Sequence, residues 1–128
     1  MNVIHICKTS SELTNIIKKN KIVVLKLSAN WCEPCKLIAP IFTKVANNVN
    51  YNINKLPENI PRPSIKFLSI DIDNICEDKG VKWGSFLNCS GVPMFIFFFN
   101  GKTHETIIGA DMNAFNDMIE DLIQKALP

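Results

Sequence analysis

The stretch Ile22-Val-Val-Leu-Lys-Leu-Ser-Ala-Asn-Trp-Cys-Glu-Pro-Cys-Lys-Leu-Ile-Ala-Pro40 decides the fold. Its first part, Ile22 to Leu27, is a near-continuous apolar run, the pattern of a strand buried on both faces of a parallel sheet. Its second part carries Pro34 where a helix can start, and Leu37, Ile38, Ile41, Phe42 and Val45 then line one helical face. Pro40 lies inside that helix and is expected to kink it. The junction between the two parts is Trp31-Cys-Glu-Pro-Cys-Lys36. Two cysteines at i and i+3 around a first helical turn share a face, close enough for a disulfide. Cys32 falls at the helix N-terminus, where unpaired backbone N–H groups and the macrodipole stabilise a thiolate. The thiolate is the attacking species in thiol–disulfide exchange, so this placement favours reactivity. Cys35, one turn further in, is expected to be more buried and less acidic, which suits attack on a mixed disulfide.

Outward from this core, Val3 to Cys7 reads as a short β-branched strand. Thr9-Ser-Ser-Glu12 is a capping-box pattern, followed by Leu13, Ile16 and Ile17 at helical spacing. Residues 50–64 contain three prolines and no consistent period, so a loop insertion is expected there. Ile65 to Ile72 returns to strand character, and residues 74–90 read as a short helix with an irregular connection. Met94 to Phe99 is a strand, Asn100-Gly101 a hairpin turn, and Thr103 to Ile108 its antiparallel partner. Asp111 can cap a last helix whose Met112, Phe115, Met118, Ile119, Leu122 and Ile123 face inward. The order βαβαβαββα predicts an α/β domain, a mixed central sheet with helices on both faces.

A chain of 128 residues with 47% hydrophobic and 20% charged residues is expected to form one domain, residues 1–128, around a real core. A net charge of +2 is too weak and too scattered to suggest nucleic acid or a membrane surface as a partner. Isoleucine, asparagine and lysine fill 46 positions while arginine appears once, which we read as codon bias, so Asn- and Lys-rich stretches carry little functional weight. The longest apolar run, Val92 to Phe99, contains a proline and is far short of the about 20 residues a bilayer demands. No charged n-region precedes an apolar stretch at the N-terminus, so no signal peptide is expected, and the expected location is cytoplasmic or another reducing compartment. Five cysteines, two of them spaced C-x-x-C, favour a reactive or metal-binding pair over a disulfide-stapled secreted fold.

The motif in its strand–helix setting resembles the core of thioredoxins: Trp31 before the first cysteine, Pro34 between the two, and Pro40 five residues after the second. Gly91-Val-Pro-Met-Phe-Ile-Phe-Phe-Phe-Asn-Gly101 is similar to that family's cis-proline loop, strand and hairpin, and Ile107-Ile-Gly-Ala110 to its glycine before the last helix. The matches follow the family's order along nearly the whole chain. The resemblance implies the thioredoxin fold and a dithiol–disulfide oxidoreductase reducing protein disulfides. It further implies Cys32 as nucleophile, Cys35 as resolving thiol, a cis bond at Pro93, and a substrate-binding surface of Trp31, Glu33, Pro34, Val92, Gly109 and Ala110. No bound cofactor or metal is expected beyond the Cys32–Cys35 disulfide. With no G-x-G-x-x-G fingerprint in the sequence, electrons are expected from a separate reductase such as thioredoxin reductase, to a monomer.

The chain departs from that family in several places. Glu33 stands where a glycine is usual, and the connections over 50–64 and before Pro93 are longer. Lys26 stands six residues before Cys32, where thioredoxins carry a buried aspartate. We expect Lys26 to act electrostatically on the thiols, with Asp71 a candidate ion-pair partner; a side chain that merely snorkels to water is the alternative. His5 and His104 read as isolated strand residues, Cys7 as a buried small hydrophobe, and Trp83 and the Phe run as core. Cys76 and Cys89 have no assigned role, although Cys89, four residues before Pro93, is a candidate regulatory thiol. Other readings stay open: a metal or cluster role for the pair, a binding or chaperone-like module with slow turnover, and a glutathione-dependent glutaredoxin-like enzyme.

Overall fold

The computed structural model describes residues 3–128. The run at Ile22 forms strand β2 (Ile22–Ser28), the centre of a five-stranded sheet. Strands β1 (Ile4–Ile6) and β3 (Ile65–Asp71) run parallel to it on one side, in the order β1-β3-β2. On the other side β6 (Met94–Phe99) is antiparallel, followed by β7 (Lys102–Ile108), which completes the order β1-β3-β2-β6-β7. Helices α1 (Ser10–Lys19), α2 (Glu33–Asn54), α3 (Trp83–Phe86) and α4 (Met112–Ala126) flank the sheet.

The alternation along β2 explains why both faces are covered. Ile22 and Val24 join Ile38 and Phe42 of α2 and Phe115, Ile119 and Leu122 of α4. Val23, Leu25 and Leu27 face the opposite way, with Leu13 of α1 and Trp83 of α3. Both sets are fully removed from water, which is why this strand reads as a continuous apolar run. Phenylalanines bind α2 and α4 to the first face: the Phe95 and Phe115 ring centroids are 4.7 Å apart, and Phe42 and Phe115 5.8 Å.

Local signals act where the sequence places them. Thr9 caps α1 by accepting the Glu12 N–H on its hydroxyl at 3.1 Å. Asn100 and Gly101 both take positive φ, 53° and 82°, as a tight β6–β7 turn requires. Asp111 caps α4 through the Ala114 N–H at 3.0 Å.

Three expectations need correction. Residues 50–54 are not loop: α2 continues to Asn54 and buries Val49 and Ile53, with Leu56 packed against the same core beyond its end. The irregular connection after β3 contains a two-stranded ribbon, β4 (Ile75–Cys76) with β5 (Val81–Lys82). Its turn is fastened to α1 by Asp78, whose carboxylate accepts the Ser10 and Ser11 N–H groups at 2.7 and 3.1 Å and is held well below the usual carboxylate range by the Ser10 hydrogen bonds. Finally, His5 and His104 are not isolated: each has a carboxylate near its Nε2, Glu12 at 2.7 Å and Asp121 at 4.0 Å.

The extension of α2 yields a test. Ile53→Val is expected to cost about 1 kcal/mol, because it removes a buried methyl from the core. Replacing residues 57–61 by a two-residue turn should instead shift stability by less than about 0.6 kcal/mol, because it shortens the connection over 55–64 by less than half. Urea unfolding of both variants checks this; an equal loss in each would mean the loop, not the helix, holds this corner.

Candidate active site

The junction between β2 and α2 builds the site from backbone contacts. After Ser28 the chain turns at Ala29, whose carbonyl accepts the Cys32 N–H at 3.1 Å. Cys32 is the N-cap of α2: its sulfur accepts the Cys35 N–H at 3.2 Å and its carbonyl accepts the Lys36 N–H at 3.3 Å. Pro34 sits in the first turn, where its missing N–H costs nothing. Cys32 and Cys35 are joined as a disulfide with their Cα atoms 5.3 Å apart. Both are buried, 5% and 3% exposed, so burial separates the two less than the spacing suggests. What separates them is the helix N-terminus, which Cys32 alone caps.

Val92 packs with Ala29, Cys32, Cys35 and Ile72 into a small apolar cluster, which brings the loop before β6 onto the disulfide. The Val92–Pro93 bond is cis, and the Pro93 carbonyl accepts the Gly109 N–H at 2.8 Å. Gly109 has φ of +100°, a conformation that L side chains rarely adopt, which accounts for a glycine at the end of β7. The three resembling segments therefore meet in space.

The remaining expected residues divide by exposure. Trp31 is 66% exposed, yet its indole N–H donates to Asp73 at 2.8 Å. Glu33 and Pro34 lie on the surface, and Glu33 pairs with Lys36 at 3.0 Å one turn away. Ala110 is exposed and Gly109 half-buried beside it.

Lys26 is 7% exposed, and its Nζ lies 5.0 Å from the Phe42 ring centroid. Burial pushes its pKa down. Asp71 does not pair with it: that carboxylate instead accepts the Asp73 N–H at 2.9 Å and closes the turn after β3. The aspartate sits at the last position of its strand, level with Ser28, while Lys26 lies level with Ser69.

Sequence reasoning missed Asp73, which orients Trp31 from 42 residues away. Its local signal is Asp71-Ile-Asp73 at the end of an apolar strand, the composition of an Asx turn. The other thiols stand apart from the pair. Cys7 is buried, its pKa pushed up to about 12 by desolvation and the nearby Glu12 charge. Buried Cys76 donates to Asp78 at 3.2 Å, and half-buried Cys89 donates to the Gly91 carbonyl at 3.3 Å. A groove of about 420 Å³ between α2 and α4, lined by Val49, Ile53, Ile119 and Ile123, contains none of these groups.

Comparison with known proteins agrees with this geometry. The family model Thioredoxin matches residues 4–123. The chain is 33% identical to "Putative thioredoxin-5" of Dictyostelium discoideum over 91% of this chain and 95% of that protein. Among solved structures, thioredoxin from Plasmodium falciparum superposes with a TM-score of 0.70 at 26% identity, covering 91% of this chain and 97% of that one. Oxidised mitochondrial thioredoxin 3 from Saccharomyces cerevisiae gives 0.72 at 25% identity, covering 92% and 94%.

A mixed parallel and antiparallel sheet with a C-x-x-C dithiol at a helix N-terminus defines a dithiol–disulfide oxidoreductase. The chain belongs to the thioredoxin family, and its activity is protein-disulfide oxidoreduction through the Cys32–Cys35 pair.

Proposed function

We propose that Cys32 attacks and Cys35 resolves, and that the natural direction is reduction of protein disulfides. The observation that carries this assignment is the cap: Cys32 Sγ receives the Cys35 N–H at the positive end of α2. In the reduced protein the Cys32 thiolate attacks one substrate sulfur. A Cys32–substrate disulfide forms, the substrate S–S bond breaks, and the departing thiolate takes a proton from water. Cys35, after losing its proton, then attacks Cys32 Sγ. The Cys32–Cys35 disulfide forms, the second substrate thiolate leaves, and the substrate has gained two electrons.

The Val92 loop, packed against the two cysteines, and the exposed Trp31 supply the surface on which the substrate backbone docks. A separate reductase, of the thioredoxin reductase class, returns two electrons to the disulfide. The reaction belongs in a reducing compartment such as the cytosol, where the dithiol form is maintained. Insulin reduction followed by turbidity tests the whole reading, run with thioredoxin reductase and separately with glutathione. Turnover with the reductase is expected; turnover with glutathione alone would move the protein to the glutaredoxin class, and none with either would leave a binding module.

Glu33 tunes the attacking thiol. Its carboxylate, next to Cys32, opposes ionisation of the sulfur, while at the helix N-terminus it stabilises α2 by roughly 0.3–1 kcal/mol. The Lys36 ammonium at 3.0 Å offsets part of the first effect. Glu33→Gly leaves that cation unpaired, so the variant is expected to have a more acidic Cys32 and a slightly less stable fold. Thiolate absorbance against pH reads the first effect, and an unchanged or raised midpoint would contradict it.

A further inference from the structure

Three potential ligand atoms converge at the outer edge of the sheet, on residues that the thiol chemistry does not use. His5 on β1 and Cys7 just beyond it are two residues apart, and Glu12 comes from the first turn of α1. The imidazole nitrogen, the thiol sulfur and a carboxylate oxygen all lie within 4.8 Å of one another. Each donor is on a different footing. Cys7 is buried at 3% exposure, whereas His5 and Glu12 open to solvent, so the cluster has a closed sulfur end and a wet end.

The carboxylate is already aimed. Glu12 Oε1 accepts the Lys8 N–H at 2.9 Å, and Thr9 holds the Glu12 backbone, which leaves Oε2 directed at His5 Nε2 at 2.7 Å. Such outer hydrogen bonds are what orient a carboxylate ligand. Tetrahedral zinc with one nitrogen, one sulfur and one oxygen donor needs these atoms about 3.3–3.6 Å apart. The His5–Glu12 pair would open by under about 1 Å, and Cys7 would close by at most a little more than that. A thiolate and an imidazole select against calcium and magnesium and for zinc.

We propose that His5, Cys7 and Glu12 bind a zinc ion through one atom each, with water in the fourth position at the solvent side. Binding breaks the Cys7 S–H bond, forms a zinc–sulfur bond and delivers that one proton to the buffer, while the proton that His5 Nε2 shares with Glu12 moves to Nδ1 and frees Nε2 to ligate. No electrons are transferred. The site lies on the edge strand, two strands away from β2, in a different side-chain cluster from Cys32 and Cys35. The ion would tie β1 to α1 and add to the His5–Glu12 contact already there.

The test uses the full, untagged chain with the Cys32–Cys35 disulfide closed, so that those sulfurs cannot ligate. Cobalt(II) is titrated in, then displaced with zinc. We expect one cobalt per chain, a thiolate-to-cobalt charge-transfer band, tetrahedral ligand-field bands in the visible, and release of one proton. Calcium and magnesium should produce no change. Cys7→Ser should abolish the charge-transfer band. His5→Gln and Glu12→Gln should each weaken binding by more than about tenfold. Both replacements are at the surface, and Gln at position 12 can still accept the Lys8 N–H, so they separate ligation from helix capping if Cys7→Ser folds poorly. Cys89→Ser should bind like the parent. A band that survives Cys7→Ser, affinity unchanged in Glu12→Gln, or no cobalt taken up by the parent would overturn the site.

Discussion

Cys32→Ser is expected to lower disulfide reductase activity by at least about a thousandfold, since the group that attacks the substrate is gone. Cys35→Ser should fail differently. Its Cys32 thiol can still open a substrate disulfide, but nothing within the protein can expel the product, so a Cys32–substrate mixed disulfide accumulates. Non-reducing electrophoresis or mass spectrometry of the variant incubated with insulin would show the adduct, and dithiothreitol would release it. The asymmetry follows from position: only Cys32 caps α2, where its sulfur already accepts a backbone N–H. Equal trapping by the two variants would show that the helix end does not choose the nucleophile. Activity surviving Cys32→Ser would place the chemistry on another thiol, with half-buried Cys89 the first candidate.

The parts of the molecule legible in the sequence are those governed by near neighbours. The capping box at Thr9, the turn at Asn100-Gly101, the doubly buried strand at Ile22 and the dithiol at a helix start each act within a few residues. The tail of α2 was hidden by composition. Asn47, Asn48, Asn50, Asn52 and Asn54 lower helix propensity, yet Val49 and Ile53, spaced i and i+4, carry the face that the core needs. Burial of that face outweighs the weak local preference. The β4–β5 ribbon has two residues per strand, too short for any period to register. Contacts between distant segments are not expressed in local spacing: Asp78 reaches Ser10 across 68 residues, and the Asx-turn composition at Asp73 marks a turn but not its partner Trp31, 42 residues away. The His5–Glu12 contact spans only seven residues, but it depends on how α1 folds back over β1, which spacing alone does not express.

Lys26→Met is expected to make the protein more stable and a slower reductase at once. Alternation along β2 puts Lys26 on the face shared by Ile22 and Val24, under the buried side of α2 that carries Cys35, Ile38 and Phe42. There its ammonium has the Phe42 ring at 5.0 Å, a favourable contact, but no carboxylate partner among the described residues. Partial desolvation of an ammonium without such a partner is unfavourable, and an apolar side chain of similar length removes that cost. The pH dependence identifies the cause. Burial lowers the folded-state pKa below the ordinary 10.5, so between the two values the unfolded chain binds more protons and parent stability rises with pH. The cost is therefore full below that window, and the advantage of Lys26→Met should vanish as pH approaches 10.5. The same charge should favour thiolates at the turn above it. Its loss should make the thiols less acidic and move the pH–rate profile to the alkaline side. Neutral-pH reduction should slow by about tenfold for each pH unit that the profile moves. A variant matching its parent in stability and in pH–rate profile would show that the ammonium reaches water and leaves the thiols untouched.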